Sequence, residues 1–423
     1  MRFLHTADWQ IGMTRAFLSA EAQARFADAR LESIRSLGNV AVAQGCEFIV
    51  VAGDVFENNQ LNTQTVQRAL EVMRDVAVPI YLLPGNHDSL ERGTLYEQDD
   101  FVAHLPDHVH ILAEPGPISI REGVELVAAP WHGKHPDRDL VSEALGKMGP
   151  ADGTTRIVVG HGSIDALDRG AGERFNIAAE PLESALAAGQ IHFVALGDRH
   201  STTSIGTSGA IWYSGASEVT ALREEAPGNV LVVDLKPGEA PAVTQHHVGT
   251  WTFAERAFDV STAADVAAVE RGLSAMPSKD RTVLKLTLQG TLALSDHHEL
   301  LVSMERYEQM FAAIPDWQSR SSLAVLSSDE DLAALGLSGF VARAASEILS
   351  QTDQDPGGKT PLSRDSRLTT LSCSNGRTEV TLTMTRRALA MLLPCSTGLR
   401  KRDRDEDSLR YLGQRQGGRI SHG

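Results

Sequence analysis

The chain has 423 residues, 42% of them hydrophobic, which is enough to bury a substantial core and favours two or three domains over one. Three cysteines, Cys46, Cys373 and Cys395, are too few and too scattered for a disulfide framework or a cysteine-held zinc, so any metal must be held by oxygen and nitrogen. The formal net charge of -16 argues against nucleic acid only if it is spread evenly, and it is not: from Pro356 onward Lys and Arg outnumber Asp and Glu by about two to one, while the body before it is more acidic than the total.

The opening MRFLHTADWQ lacks the basic lead and apolar run of a secretory leader, and no stretch approaches about 18 apolar residues, so a cytoplasmic protein that spans no membrane is expected. Short apolar runs then recur as strand candidates: FLHTA (3–7), EFIVVAG (47–53), PIYLLPG (79–85), VELVAAP (124–130), TRIVVGH (155–161), HFVALGD (192–198), AIWYSG (210–215) and VLVVDL (230–235). Helices are predicted between them at 20–43, 63–76 and 181–188. Runs such as FIVV and LVVD are continuous rather than alternating, as in strands covered on both faces, and they predict a layered α/β sandwich over residues 1–250.

From about 255 the pattern changes to a helix at 260–276, an alternating strand at 281–292 and a helix at 297–314, which suggests a second, smaller α/β domain. The stretch 329–349 carries an imperfect apolar stripe of Leu332, Leu335, Val341, Ala345 and Leu349, suited to packing on that domain or to docking a partner. Residues 351–423 turn to Ser, Thr, Arg and Gly with a basic RKR at 400–402, and disorder is expected for most of them, with 378–393 able to form a strand or helix.

The chemistry lies where metal-capable side chains fall. Asp8, Asp54, Asn86 with His87, His161, and Asp198 with His200 each follow one of the strand-like runs. Loops beyond the carboxyl ends of strands in α/β sheets converge on one crevice, so these places can meet in space. Singly each has a bland reading: Gly-Asp pairs are common in turns, and a lone Gly-His-Gly is more often a loop histidine with its bonds satisfied. Jointly, acceptors of the right type after five separate strands point to a metal site. His104, His108, His110, His132, His135, His192, His246 and His247 fall outside the pattern, and Trp9 and Trp131 read as packing rather than as a stacking surface for bases.

The order and wording, HTADW (5–9), GDVFE (53–57), GNHD (85–88), GHG (160–162) and YSGASE (213–218), resemble the calcineurin-like metallophosphoesterases, and within them the SbcD-type DNA-repair nucleases that partner SbcC-type ATPases. The resemblance covers about residues 1–250. It implies a metallophosphoesterase sandwich of mixed sheets flanked by helices, a cap domain at 255–350 that helps position duplex ends, and two divalent ions, manganese or else magnesium, bridged by Asp54. One ion would take Asp8, Gln10 and His200, the other Asn86, His161 and Asp198, while His87 would assist the leaving group with Asp88 orienting or charging its imidazole. Gln10 and Asp198 depart from the family pattern, which has histidine at both places; the amide is a weaker ligand, and the carboxylate shifts the second site towards hard ions. The implied partners are DNA ends, an SbcC-like ATPase and a second copy of the chain. Two alternatives stay open: a phosphodiesterase or phosphatase acting on a substrate other than DNA, and a catalytically weakened DNA-end-binding scaffold.

Overall fold

The computed structural model describes residues 1–150, 152–167, 177–326, 369–374 and 379–384. In chain order, β1 (Arg2–Thr6), α1 (Ala20–Ala43), β2 (Ile49–Ala52), α2 (Thr63–Arg74) and β3 (Ile80–Leu83) make two crossovers, and α3 (Asp99–His104) leads to β4 (Val109–Ile111). A second run holds β5 (Gly116–Arg121), β6 (Val124–Ala128), α4 (Leu140–Leu145), β7 (Thr155–His161), α5 (Ala179–Ala187), β8 (Phe193–Gly197), β9 (Thr203–Ile205) and β10 (Ile211–Tyr213). The chain then returns through β11 (Asn229–Asp234) and β12 (Ala242–His247) to the first run.

These strands form two six-stranded sheets, ordered β12-β11-β1-β2-β3-β4 and β5-β6-β7-β8-β10-β9. Strands β1 to β4 are parallel, as are β6, β7, β8 and β10, and the antiparallel members lie at the edges or close the first sheet through β11. Alternation along the strands sorts side chains into three cores. Phe3, Val50 and Leu83 face Leu126, Ile157 and Phe193 between the sheets. On the outer face of the first sheet, Leu4, Ile49, Val51 and Leu82 pack on Ile34 and Leu37 of α1 and Leu70 and Met73 of α2. Val158, Val194 and Leu196 do the same with Val141 of α4 and Leu182 of α5. The result is a four-layer helix–sheet–sheet–helix sandwich, and each fully buried Leu or Phe within it contributes about 1.5–3 kcal/mol of transfer free energy. Helix starts follow local chemistry: Ser19 accepts from the Ala22 N–H at 3.1 Å and Asn62 from the Thr65 N–H at 2.9 Å.

A third sheet of three parallel strands, β13 (Thr252–Val260), β14 (Thr282–Ala293) and β15 (Ser322–Leu326), follows, with α6 (Ala263–Ala275) and α7 (Leu294–Met310) between strands and a short α8 (Trp317–Arg320) before β15. Helix α6 opens on a capping box in which Thr262 and Asp265 each bond the other's backbone N–H. Its core joins Val266, Val269 and Leu273 to Leu284, Leu286, Leu300 and Met304. A further cluster, with Met13, Phe26, Val219 and Trp251 on one side and Val283 and Ala312 on the other, ties this sheet to α1 and to the loop after β10. Buried Glu218 reinforces the junction by accepting from Thr250 N (2.6 Å), Thr250 Oγ1 (2.8 Å) and Trp251 N (3.1 Å).

Contacts divide the chain into Met1–Leu326 and Ser327–Gly423. In the second unit the described residues are an antiparallel pair, β16 (Thr369–Ser374) and β17 (Glu379–Met384). The helix expected at 329–349 and most of the tail expected to be disordered lie outside the described residues. No helix among the described residues is long and apolar enough to cross a membrane.

Candidate metal centre

The loops after β1, β2 and β3 of the first sheet meet those after β7 and β8 of the second. Backbone bonds stitch the first two together: Asp8 N donates to Gly53 O at 3.0 Å and Gln10 N to Asp54 O at 2.9 Å. Four of the side chains singled out in the sequence sit on left-handed backbone, Asp8 (φ 52), Gln10 (φ 44), Asp54 (φ 53) and Asp198 (φ 93), a conformation that costs a non-glycine residue energy and concentrates at functional sites. Two glycines make the approach possible. A Cβ on Gly53, itself at φ +91, would lie 2.1 Å from His161 Nδ1, and one on Gly85 would lie 2.2 Å from Asp54 Oδ1.

Asp8, Asp54 and His161, all buried, bring ligand atoms within 4.8 Å of one another. His161 Nδ1 lies 2.8 Å from the Ala52 carbonyl, which can only accept, so Nδ1 carries the proton and Nε2 faces the site. Around Nε2 stand Asn86 Oδ1 at 2.8 Å, Asp54 Oδ1 at 3.3 Å and Asp198 Oδ1 at 3.9 Å. Burial pulls the His161 pKa down, but Asp54, and after it Asp8 and Asp198, outweigh burial and raise it well above the ordinary histidine value. Burial likewise pushes the Asp8 carboxyl up to about 7, with nearby Asp54 and Asp198 adding to it and His200 and His161 opposing. Gln10 Oε1 is buried and has no hydrogen-bond partner among the described residues. Converging oxygens, an imidazole nitrogen and an orphaned amide oxygen are the donor set a divalent cation needs, and these residues fit one.

His200 stands opposite His161. Its Nε2 lies 3.1 Å from Gln10 Nε2 and 3.9 Å from Asp8 Oδ1, and its Nδ1 lies 2.6 Å from Thr220 Oγ1 and 3.0 Å from Glu224 Oε1. Asp198 contributes first through its backbone, whose N–H donates to both Asp8 oxygens at 3.1 and 3.2 Å; its carboxylate is 39% exposed.

His87 donates its backbone N–H to Asp54 Oδ1 at 3.0 Å, and its ring Nδ1 lies 2.9 Å from the Glu57 carbonyl, which leaves Nε2, 3.9 Å from Asp54 Oδ2, on the open side. The expected imidazole partner, Asp88, points elsewhere. Its buried carboxylate accepts from Phe56 N (3.1 Å), Gly85 N (2.7 Å) and Tyr96 Oη (2.6 Å), so it braces the loop that carries Asn86 and His87 and does not bond the His87 ring. The physical reason is demand: two buried N–H groups at the turn need an acceptor, and Asp88 is the group in reach.

Sequence reasoning missed Glu57, Tyr96, Thr220 and Glu224. The signals present were that Glu57 ends the GDVFE segment at 53–57 and that Thr220 and Glu224 lie two and six residues past the YSGASE segment. Trp9 is fully buried with Nε1 donating to Thr6 Oγ1 at 3.0 Å, a core residue, and Trp131 Nε1 donates to the His161 carbonyl at 2.7 Å, holding that loop.

The strand-end loops of this two-sheet sandwich thus gather carboxylates, an asparagine and histidines into a donor set that fits a divalent cation. Residues 1–202 match the calcineurin-like phosphoesterase family, and within that stretch Asp8, Asp54 and His161 form a group able to hold a metal ion. It is 36% identical over 98 residues to the D component of the SbcCD nuclease of Rhodobacter capsulatus, covering 22% of this chain and 22% of that protein. It is 31% identical over 156 residues to the same component of the Escherichia coli K12 nuclease, covering 35% and 36%. It is 30% identical over 95 residues to the DNA double-strand break repair protein Mre11 of Archaeoglobus fulgidus, covering 22% and 20%. The chain thus spans about a fifth to a third of the length of these curated relatives.

Proposed function

We propose that the chain is a metal-dependent phosphodiesterase acting on DNA, an exonuclease or endonuclease of the SbcD type working in DNA repair in the cytoplasm, with manganese as its metal. The observation that carries the reading is the meeting of Asp8, Asp54 and His161 within 4.8 Å, with Asn86 on the same imidazole nitrogen. On this reading Asp8, Gln10 and His200 would hold one ion and Asn86, His161 and Asp198 the other, with Asp54 shared by both. When bound, such ions supply Lewis-acid stabilisation of the phosphoryl oxygens and an acidified water. His87 donates Nδ1–H to the Glu57 carbonyl and turns Nε2 to the open side, and in its imidazolium form, with both nitrogens protonated, it can donate a hydrogen bond or proton from Nε2 to the leaving ester oxygen.

DNA as substrate is supported by the nuclease and repair relatives and by HTADW and YSGASE. On the same reading, residues from about 255 form a cap that positions duplex ends, the chain pairs with a second copy, and 329–349 docks an SbcC-like ATPase. The test is incubation of the full chain with linear duplex DNA and, separately, with bis-p-nitrophenyl phosphate under excess Mn2+. DNA cleavage that EDTA abolishes is expected. Hydrolysis of the small ester alone would move the substrate to a phosphodiester other than DNA, and inactivity on both would leave a DNA-end-binding scaffold.

A further inference from the structure

Beside the ligand set lies a short segment, 220–225, from which the Thr220 and Glu224 side chains turn towards His200. The Glu224 side chain is only 6% exposed, although it comes from a surface loop between β10 and β11. Its Oε2 accepts from Thr220 N at 2.8 Å and its Oε1 from Ala221 N at 3.0 Å, and the Thr220 hydroxyl donates to the same Oε1. Two further bonds pin the segment: Arg15 Nη2 donates to Thr220 O at 2.8 Å, and Glu225 N donates to Ser201 Oγ at 2.9 Å, next to His200 in the chain. The loop therefore has one conformation available to it while these bonds hold.

The direction of the hydrogen bonds decides what this does to the imidazole. Thr220 has given its proton to Glu224, so both groups that face His200 Nδ1, Thr220 Oγ1 at 2.6 Å and Glu224 Oε1 at 3.0 Å, are acceptors. Nδ1 must then carry a proton. The other ring nitrogen, Nε2, is left pointing at Gln10 and Asp8, the groups that line the first ion's place. A histidine that gives its outer N–H to a carboxylate is held in one tautomer and made more basic at its inner nitrogen, and loss of such a partner typically costs about 10–100-fold in metal affinity.

We propose that Glu224, with Thr220, is a positioning residue that presents His200 to a divalent cation through Nε2 and so offsets the weak amide ligand at Gln10; this rests on the metallophosphoesterase reading of the site. A structural brace alone would be felt in the metal-free fold. A positioning role is felt in ion affinity, and at one of the two ion places only, because Asn86 and His161 lie on other loops.

The experiment is a calorimetric titration of the full chain with Mn2+, paired with thermal melting in EDTA. Wild type is compared with Glu224→Gln, which keeps size but can offer an N–H to Nδ1, with Thr220→Val, and with Glu225→Gln, a neighbouring exposed carboxylate, as control. Expected is a fall of about 10-fold or more in one class of Mn2+ sites for Glu224→Gln and a smaller fall for Thr220→Val, with the other class and the control unchanged. Mn2+ isotherms that coincide across all four proteins, or losses that track a lowered metal-free melting temperature in both variants, overturn the proposal while leaving the phosphoesterase reading intact. A wild-type chain that takes up no Mn2+ overturns both.

Discussion

The backbone N–H of Asp198 donates to both carboxylate oxygens of Asp8, at 3.1 and 3.2 Å, across 190 residues of chain and from one sheet to the other. This bond closes the site, but one N–H is little compensation for a fully buried carboxylate beside Asp54 and the Asp198 side chain, and the upward push on the Asp8 pKa records the imbalance. Replacing a buried, poorly compensated charge by a neutral isostere is often stabilising. Asp8→Asn should therefore raise the metal-free melting temperature by a few degrees, about 1 kcal/mol, while lowering Mn2+ affinity at least about 10-fold. Scanning calorimetry in EDTA beside a Mn2+ titration checks both halves, and a variant less stable without metal would refute the trade.

His87 reaches the site with its ring and fixes the Asp54 carboxylate with its backbone, and the two contributions separate on mutation. The N–H bond to Asp54 survives any side-chain change except to proline. His87→Ala is expected to lower kcat on a phosphodiester by about 10²-fold or more, the usual scale of a general acid, with Mn2+ affinity within about 2-fold of wild type. Steady-state kinetics and a metal titration on the same preparation read the two effects, and an unchanged kcat removes His87 from the leaving-group role.

The parts of this molecule that sequence reading reached are those in which one residue type had one physical reason to be where it is. Strands β1, β2, β3, β7, β8 and β11 are buried on both faces, so their apolar runs stood out, and Asp8, Asp54, Asn86 and His161 followed them. The sheet edges were missed: β5, β12 and β13 alternate between exposed and half-buried positions and carry little apolar signal. Short α3 and α4 span six residues each, too few for a helical period to declare itself. Asp88 was assigned to the wrong neighbour because spacing cannot tell which of several donors a carboxylate will face. Glu224 was passed over because its partner His200 is 24 residues away and joined to it only by the fold. Nor does residue order reveal that Asp8, Gln10, Asp54 and Asp198 take left-handed backbone, since that strain is imposed by the meeting of loops.

His5 gives the fold an acid limit of its own. It is fully buried on β1, with Nε2 3.2 Å from the Leu196 carbonyl of β8, and burial drives its pKa down to about 3 against only partial support from that carbonyl. The unfolded chain binds the proton near the ordinary value of about 6.5, so between about 6.5 and 3 the unfolded state holds more protons and is favoured as pH falls. The stabilising effect of a neutral His5 is thus complete above about pH 6.5 and lost on the way down to 3, at about 1.4 kcal/mol per pH unit once the unfolded imidazole is charged. Urea melts at pH 7.5 and pH 5 should differ less in His5→Phe than in wild type, by about 2 kcal/mol, whatever the variant's stability at pH 7.5. Equal pH slopes in the two proteins would assign the acid loss to other groups.

Asp88 tests whether the loop that carries Asn86 and His87 stands on its own or is held. Its carboxylate serves Phe56 N, Gly85 N and Tyr96 Oη at once, all in the interior, and burial, with Asp54 adding to it, lifts its pKa to about 6 in spite of those bonds. Asp88→Ala would leave two backbone N–H groups and a phenol buried without an acceptor, each costing about 1–3 kcal/mol. The expected result is a loss of about 3 kcal/mol or more in urea unfolding, with Mn2+ affinity falling too because Asn86 loses its support. Asp88→Asn, which retains one acceptor oxygen but adds a donor facing the Gly85 or Phe56 N–H, should lose less stability than Asp88→Ala and keep part of the Mn2+ affinity. If instead both variants unfold like wild type and only turnover falls, the carboxylate acts on the reaction rather than on the loop, and the bracing role is wrong.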